Sequence, residues 1–316
     1  RGQGGQWRAW GAEEHSTPCK GARNAMCPVQ VQGGWGGMGV GRDLMLVGLG
    51  RPSIRLELWE TPDQERDLPA QRLGAWSTGH RDSLFCVDCR PVDGDLRVLT
   101  GGGQEDCTAH LFLGLHACGD PLAGDSLPPL DSALSIRTKG SVRALKWVDP
   151  QGDCFLVGSL DSSVTLYDVR QGNSVAQVFQ GGHRSGVHSF ALELGSPYFG
   201  STSGRPENAV LWWDQRAPEQ GPVLENRSAR SAVSCSTTVR SPSHGAHSPL
   251  LLFGSYDGTI RCMSTLPSST APTSIVADKL GRVQCIAACA GLVVVGSDLG
   301  LFTLTLPDSS TEAGKL

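Results

Sequence analysis

Cysteine and histidine, whose side chains can ligate metal ions, come close together at two places in the sequence. Cys86 and Cys89 form a C-x-x-C pair, and a denser group follows at Cys107, His110, His116 and Cys118. Residues three apart on a strand point to opposite faces, so Cys86 and Cys89 do not readily share one metal ion. The second group lacks the spacing of a zinc finger, and there is no second C-x-x-C. We therefore expect packed thiols and no bound metal.

A glycine-rich segment, Gly34-Trp-Gly-Gly-Met-Gly39, matches the dinucleotide motif G-x-G-x-x-G letter for letter. That motif binds pyrophosphate when a strand precedes it and a helix follows. Here the strand-like run 44–48 follows, which indicates a turn between strands. The sequence has no nucleophile elbow, phosphate loop or paired-carboxylate pattern. It therefore predicts neither a cofactor nor an enzymatic activity.

Composition narrows the class of partner. The chain has 316 residues and a net charge of −4, and no apolar stretch reaches the roughly 20 residues that cross a bilayer. Arg227, Arg230 and Arg240 lie close together but without interleaved aromatics, so neither a membrane nor a nucleic acid is favoured. Eleven cysteines, an odd number, fall mostly in expected strands and indicate reduced thiols in the cytosol or nucleus. The chain begins at Arg1 rather than Met, which leaves open an upstream domain such as an F-box.

One pattern repeats at least six times along the chain. An apolar run ends in a small residue, a polar turn follows, and an alternating strand often closes on an aromatic residue, as in Phe155–Arg170 and Leu251–Arg261. The small residues recur at intervals of about 40 to 60 residues, at Gly48, Gly101, Gly158, Gly200, Gly254 and Gly296. Four short strands fit each interval. The repeat predicts an all-β fold, a β-propeller of six or seven four-stranded antiparallel blades.

Short motifs within these repeats resemble those of the WD-repeat family of β-propellers. The Trp-Asp dipeptide appears as Trp213-Asp214 and, as a variant, Tyr167-Asp168. The Gly-His element appears as Gly79-His80 and Gly182-His183. The resemblance implies a propeller over residues 27–306 and a disordered tail over 307–316. It leaves 1–26 as an N-terminal segment in which 6–10 can supply a ring-closing strand.

The resemblance also implies a buried hydrogen-bond chain from a turn Asp to a His, a Ser or Thr, and the strand Trp. The fourth repeat offers His183, Ser201 and Trp213, but Asn208 stands where Asp is usual. The third repeat offers Ser159, Asp161 and Tyr167 without a His, and His80 is the candidate in the second. We therefore expect no complete chain and a degenerate propeller stabilised mainly by apolar stacking between blades.

Two consecutive repeats end in an aromatic residue followed by Asp-x-Arg, at 167–170 and 213–216. These boxes resemble those of propellers that dock on damaged-DNA-binding protein 1, the adaptor of cullin-4 ubiquitin ligases. The resemblance implies docking residues at Asp168, Arg170, Trp213, Asp214 and Arg216. An arginine there also has a structural alternative, because it can pair with a carboxylate of its own propeller.

The functional expectation is a non-enzymatic scaffold that recruits proteins. Its specific form is a substrate receptor of a cullin-RING ubiquitin ligase, reached through the cullin-4 adaptor or through an upstream F-box. The alternative is a structural subunit of a stable assembly in RNA processing, trafficking or cilia. The sequence does not separate the two.

Overall fold

A computed structural model describes residues 23–29, 44–51, 54–60, 71–93, 95–115, 127–172, 174–239, 249–265, 274–289 and 292–305. Within these ranges the chain forms strands β1 to β23 and two short 3-10 turns, at Val169–Gln171 and Pro218–Gln220. The predicted all-β class is confirmed. The chain divides into two compact units, and residues 17–178 form one of them.

Three four-stranded antiparallel sheets make up this unit, each a meander of consecutive strands. The first sheet contains β1 (Arg23–Val29), β2 (Leu44–Leu49), β3 (Arg55–Glu60) and β4 (Gln71–Trp76). The second contains β5 (Leu84–Val92), β6 (Asp95–Gly102), β7 (Thr108–Phe112) and β8 (Leu134–Arg137). The third contains β9 (Val142–Trp147), β10 (Cys154–Ser159), β11 (Val164–Asp168) and β12 (Val175–Val178).

The other unit includes residues 179–316 and holds the fourth to sixth sheets. The fourth contains β13 (Val187–Leu192), β14 (Tyr198–Ser203), β15 (Val210–Asp214) and β16 (Leu224–Asn226). The fifth contains β17 (Val233–Val239), β18 (Leu250–Ser255), β19 (Ile260–Ser264) and β20 (Ser274–Ala277). In its described part the sixth has three strands, β21 (Val283–Cys289), β22 (Leu292–Ser297) and β23 (Gly300–Thr305).

All six sheets share one irregularity between their first and second strands. A small residue on each strand forms a pair, and the register shifts immediately afterwards, as in a β-bulge. The pairs are Ala25–Gly48, Cys86–Gly101, Ala144–Gly158, Ser189–Thr202, Cys235–Gly254 and Cys285–Gly296. The repeat was thus aligned correctly at five glycines. In the fourth sheet the repeated position is Thr202 and not Gly200.

Glycine is needed at this position where a cysteine faces it. A Cβ on Gly101 would overlap with the sulfur of Cys86, and one on Gly254 would lie 2.8 Å from the sulfur of Cys235. Most side chains of the second strands are buried; in β10, Phe155 and Leu156 are fully enclosed. Such burial is typical of strands that are covered on both faces.

The borders of the predicted domains fall partly outside the described residues. β1 begins at Arg23, slightly ahead of the expected boundary at residue 27. The segment 6–10, the glycine-rich motif 34–39 and the tail 307–316 lie outside the described ranges. No helix in the described ranges has the length and apolar character needed to cross a bilayer.

Candidate functional site

Four buried side chains form a continuous hydrogen-bond chain in the fourth sheet. The indole Nε1 of Trp213 donates to Ser201 Oγ at 2.7 Å, and Ser201 Oγ lies 2.7 Å from His183 Nε2. His183 Nδ1 lies 3.2 Å from Glu207 Oε2. Because an ionised carboxylate can only accept, Nδ1–H donates to Glu207; in the neutral ring Nε2 then accepts from the serine hydroxyl. The expectation that no repeat completes this chain is wrong, because Glu207, not Asn208, supplies the acid.

The turn between β14 and β15 places Glu207 among several donors. Its carboxylate accepts the backbone N–H of Arg184 at 2.8 Å and the guanidinium of Arg227 at 2.8 Å. Burial alone would raise the pKa of Glu207, but the bonds from His183, Arg184 and Arg227 outweigh it and lower that pKa. The acid is therefore ionised and fully bonded under ordinary conditions.

The second sheet has a turn of the same length, and this shared length could have identified Glu207 as the acid from the sequence. Residues 102–108 and 203–209 span corresponding positions, and the acid comes next to a residue with positive φ in both: Asp106 before Cys107 (φ 51°), and Glu207 before Asn208 (φ 53°). The amide oxygen of Asn208 has no hydrogen-bond partner within the described ranges. The sequence signal for the hydrogen-bond chain is therefore the length of this turn, and not whether its acid is Asp or Glu.

In the second sheet the hydrogen-bond chain is one member shorter. His80 Nε2 lies 2.8 Å from Thr100 Oγ1, and His80 Nδ1 contacts the carboxylate of Asp106. The position opposite Val98, which corresponds to that of Trp213, is taken by Phe112. Because Phe112 has no donor, the chain ends at the threonine.

His110 lies next to this chain, with its ring centroid 4.3 Å from that of His80. Burial and then the neighbouring His80 lower the pKa of His110 to about 4. Within the described ranges no group of three metal-binding side chains comes together. His116 and Cys118 lie outside those ranges, so the expectation of no metal at the cysteine–histidine group stays a prediction.

The third sheet does not form the chain that its residues suggested. Its register puts Val157, not Ser159, at the position of Ser201. Ser159 Oγ donates to Gly140 O at 3.0 Å, while Asp161 accepts the backbone N–H of Ser163 at 2.9 Å and stabilises the tight turn. The ring of Tyr167 stacks on that of Phe155, with centroids 5.7 Å apart. The hydrogen bonds of Ser159 and Asp161 therefore hold the turn together and connect it to the loop that enters β9, at Lys139 and Gly140.

The first sheet carries a buried acid that the sequence reading did not single out. Trp59 occupies the position of Trp213, and its indole donates to Glu57 Oε2 at 2.9 Å. Glu57 is fully buried and also accepts from Arg55 Nε at 2.6 Å. The carboxylate of Glu57, two residues before Trp59 on the same strand, thus accepts the indole N–H, as Ser201 does in the fourth sheet.

The order Glu207–His183–Ser201 resembles the acid–base–nucleophile order of a hydrolase, but its setting is structural. The side chains of His183 and Glu207 are 0% and 1% exposed, and Ser201 is fully buried. The serine oxygen is also held by the indole of Trp213. A nucleophile needs an open approach to its oxygen, which this burial denies.

The docking candidates of the third sheet lie just past β11. Arg170 donates to both oxygens of Asp168, at 2.9 and 2.7 Å. The hydrogen bond from Arg170 lowers the pKa of Asp168 to about 2. The side chain of Arg170 is 67% exposed. The arginine is therefore held by its own strand yet open to solvent.

The fourth sheet repeats this fork past β15. Arg216 donates to both oxygens of Asp214, at 2.9 and 2.7 Å, and to the hydroxyl of Tyr198 at 2.8 Å. Its side chain is 63% exposed, whereas Trp213 is buried. Trp213 thus belongs to the buried chain and not to the surface. Both arginines make the intramolecular pair that the structural alternative requires.

The described fold was compared with known proteins. No protein-family model matches the chain, and no curated protein sequence matches it. Among solved structures, the WD40 β-propeller domain of Doa1 is similar, with a TM-score of 0.61 and 17% identity over 91% of this chain and 80% of that one. The computationally designed Ika8 protein is also similar, with a TM-score of 0.57 and 15% identity over 91% of this chain and 73% of that one.

These likenesses concern the fold alone. Together with six antiparallel sheets in the described ranges, they confirm the predicted β-propeller and favour six blades over seven.

Proposed function

We propose that this chain is a non-enzymatic scaffold that recruits proteins, and specifically a substrate receptor of a cullin-RING ubiquitin ligase. The observation that carries the proposal is the pair of exposed arginine forks at Arg170 and Arg216. Each follows the third strand of its sheet and is held by the Asp two residues earlier. The proposed partners are damaged-DNA-binding protein 1 and, through it, cullin-4.

A fork held by its own aspartate supports docking for a physical reason. Two hydrogen bonds fix each guanidinium, so less side-chain freedom is lost when a partner binds. The exposed edge remains available to a partner carbonyl or carboxylate. Arginines with these properties are common among the residues that dominate interface energies.

The cellular setting proposed is the cytosol or nucleus. The structure shows free thiols at Cys86, Cys89, Cys107, Cys154, Cys235, Cys262 and Cys285. Burial raises the pKa of Cys154 to about 11 and that of Cys235 to about 12, which keeps both protonated and unreactive. Such packed thiols suit a reducing compartment.

The test is recovery of damaged-DNA-binding protein 1 and cullin-4 by the tagged chain and by the double variant Arg170→Ala/Arg216→Ala. We expect the double variant to lose at least about tenfold of the adaptor, since an interface arginine contributes about 2 kcal/mol. The matched control is Arg81→Ala/Arg137→Ala, which removes two exposed cations away from both forks. Equal recovery by the double variant and the wild type would refute adaptor docking.

A second candidate is a structural subunit of a stable assembly. The observation that favours it is the complete neutralisation of each fork by its own aspartate. In that case the double variant loses stability rather than adaptor. A lowered melting temperature with no adaptor in the wild-type sample would support this second function.

A further inference from the structure

The loops at one end of the fourth, fifth and sixth sheets form a continuous surface, here called the turn surface. Its parts are the loops that enter each sheet (184–185, 230–232 and 279–282) and the turns between second and third strands (204–207, 256–258 and 298–299). All of them lie in the unit that includes residues 179–316. They are joined by hydrogen bonds from one sheet to the next.

The joints between the sheets are specific. Arg205 donates to Ser231 Oγ at 3.1 Å, which connects the turn of the fourth sheet to the entry loop of the fifth. Leu280 N donates to Gly258 O at 3.1 Å, which connects the turn of the fifth to the entry loop of the sixth. Arg282 N then donates to Asp298 Oδ1 at 2.6 Å. The surface is therefore one built platform and not a set of separate loop tips.

Cations outnumber acids among the side chains left without an ion pair. Five basic side chains on this surface have no carboxylate partner within the described ranges: Arg184, Arg205, Arg230, Lys279 and Arg282. The acids Glu207 and Asp257 are engaged by Arg227 and Arg261. Asp298 on the surface and Asp278 beside it have no cationic partner within the described ranges. This local excess contrasts with the net charge of −4 on the whole chain.

Two apolar side chains stand exposed among these cations. Tyr256 is 44% exposed and Leu299 is 68% exposed. Leu299 packs over Gly281, where a Cβ would lie 2.7 Å from Leu299 Cγ. Gly281 in turn lies against Gly258, next to the turn of Tyr256. Large apolar side chains left exposed on a charged surface are typical of a docking site.

We propose that the turn surface binds an acidic protein segment that carries apolar side chains. The unpaired cations would meet its carboxylates, and Tyr256 and Leu299 would cover its apolar residues. The apolar pair favours a protein over a nucleic acid, because phosphates would use only the cations. This inference rests on the proposed recruiting function, but not on docking to the ligase adaptor.

The test titrates the whole chain into fluorescein-labelled peptides and follows anisotropy. The probe alternates glutamate with leucine, one control peptide replaces glutamate with lysine, and another replaces leucine with serine. We expect the glutamate–leucine probe to bind at least about tenfold more tightly than either control and to weaken with salt. A single-stranded oligonucleotide forms a fourth arm.

Variants locate the binding. Arg230→Glu/Arg282→Glu and Tyr256→Ser/Leu299→Ser should each weaken the probe at least about tenfold. The controls, Arg137→Glu for an exposed cation and Ile275→Ser for an exposed apolar side chain, should leave binding unchanged. All four change exposed side chains, and circular dichroism checks that each variant is folded.

The inference is overturned if the lysine peptide or the oligonucleotide binds as tightly as the probe, or if no peptide binds. It is also overturned if the control variants weaken binding as much as the surface variants. Adaptor recovery that depends on Arg170 and Arg216 would survive such a failure. Peptide binding without adaptor recovery would instead leave the inference standing and remove the ligase form of the proposed function.

Discussion

The second and fourth sheets hold the same polar chain but end it differently. In the fourth, Ser201 accepts a hydrogen bond from the indole of Trp213; in the second, Phe112 occupies the position of Trp213 and has no donor to offer Thr100. Glu207 of the fourth sheet also accepts hydrogen bonds from more donors than Asp106 of the second sheet does. The comparison teaches that the His–hydroxyl pair is the constant part, while the acid and the aromatic vary with the local turn and strand.

The largest difference in stability between the two sheets should follow from removing the acid of each chain, Glu207 or Asp106. We expect Glu207→Ala to lower the free energy of unfolding by about 3–5 kcal/mol, because it leaves the buried His183 and the backbone N–H of Arg184 without their acceptor. Asp106→Ala should cost less, about 1–3 kcal/mol. Urea denaturation measures both. The control Glu225→Ala removes an exposed partner of Arg227 and should change stability by under about 0.5 kcal/mol.

If Asp106→Ala proved as costly as Glu207→Ala, the two acids would be equivalent. The longer chain and the extra donors of the fourth sheet would then carry no added stability. A large effect from Glu225→Ala would point instead to the surface ion pair.

The second largest contrast should be in pH dependence: lowering the pH should destabilise the second sheet but not the fourth. The pKa of His110 lies at about 4, below its ordinary 6.5, so the unfolded chain binds this proton more readily than the folded one. The stability that neutral His110 contributes is present above pH 6.5 and is lost as the pH falls towards 4. The corresponding residue of the fourth sheet, Leu211, does not titrate.

Replacing His110 by leucine isolates this effect. Between pH 7.5 and pH 5 we expect the wild type to lose about 2 kcal/mol more than His110→Leu, as the shift from 6.5 to about 4 implies. Denaturation curves at both pH values provide the difference. Parallel losses in the two proteins would show that His110 is not the titrating group.

The smallest effect should come from making the fourth sheet resemble the second. Trp213→Phe removes the indole donor to Ser201 while keeping an aromatic ring. We expect a loss of about 1 kcal/mol in the free energy of unfolding, the usual net worth of one buried hydrogen bond. Phe112→Leu, which removes no donor, is the control for altered ring packing. A cost above about 3 kcal/mol would show that packing, and not the bond, holds Trp213.

Much of the fold could be predicted from the sequence, because apolar runs that end in a small residue mark the second strand of every sheet. The repeats read at Phe155–Arg170 and Leu251–Arg261 fall on the second and third strands of their sheets, β10 and β11 and then β18 and β19. The misplacement of Gly200 had a physical cause. A bulge fixes the register, and Thr202 is small enough to replace glycine at the repeated position.

The polar chains were harder to predict because their members come together only through the turn. Asn208 looked like the substitute for Asp, yet its positive φ places the carboxylate of Glu207 on His183 instead. In the third sheet, Ser159 matched in sequence but lies two residues beyond the position of Ser201, which Val157 occupies. Exposed surfaces such as the turn surface left no repeated signal at all, because their cations come from loops of unrelated sequence.

A double-mutant cycle between Glu207→Ala and Trp213→Phe tests most directly whether the buried chain of the fourth sheet is one structural unit. The two residues are the ends of the chain and are linked only through His183 and Ser201. If the chain acts as a unit, their effects on the free energy of unfolding should differ from additivity by at least about 0.5 kcal/mol. Additivity within about 0.3 kcal/mol would contradict it and would reduce the chain to separate local bonds.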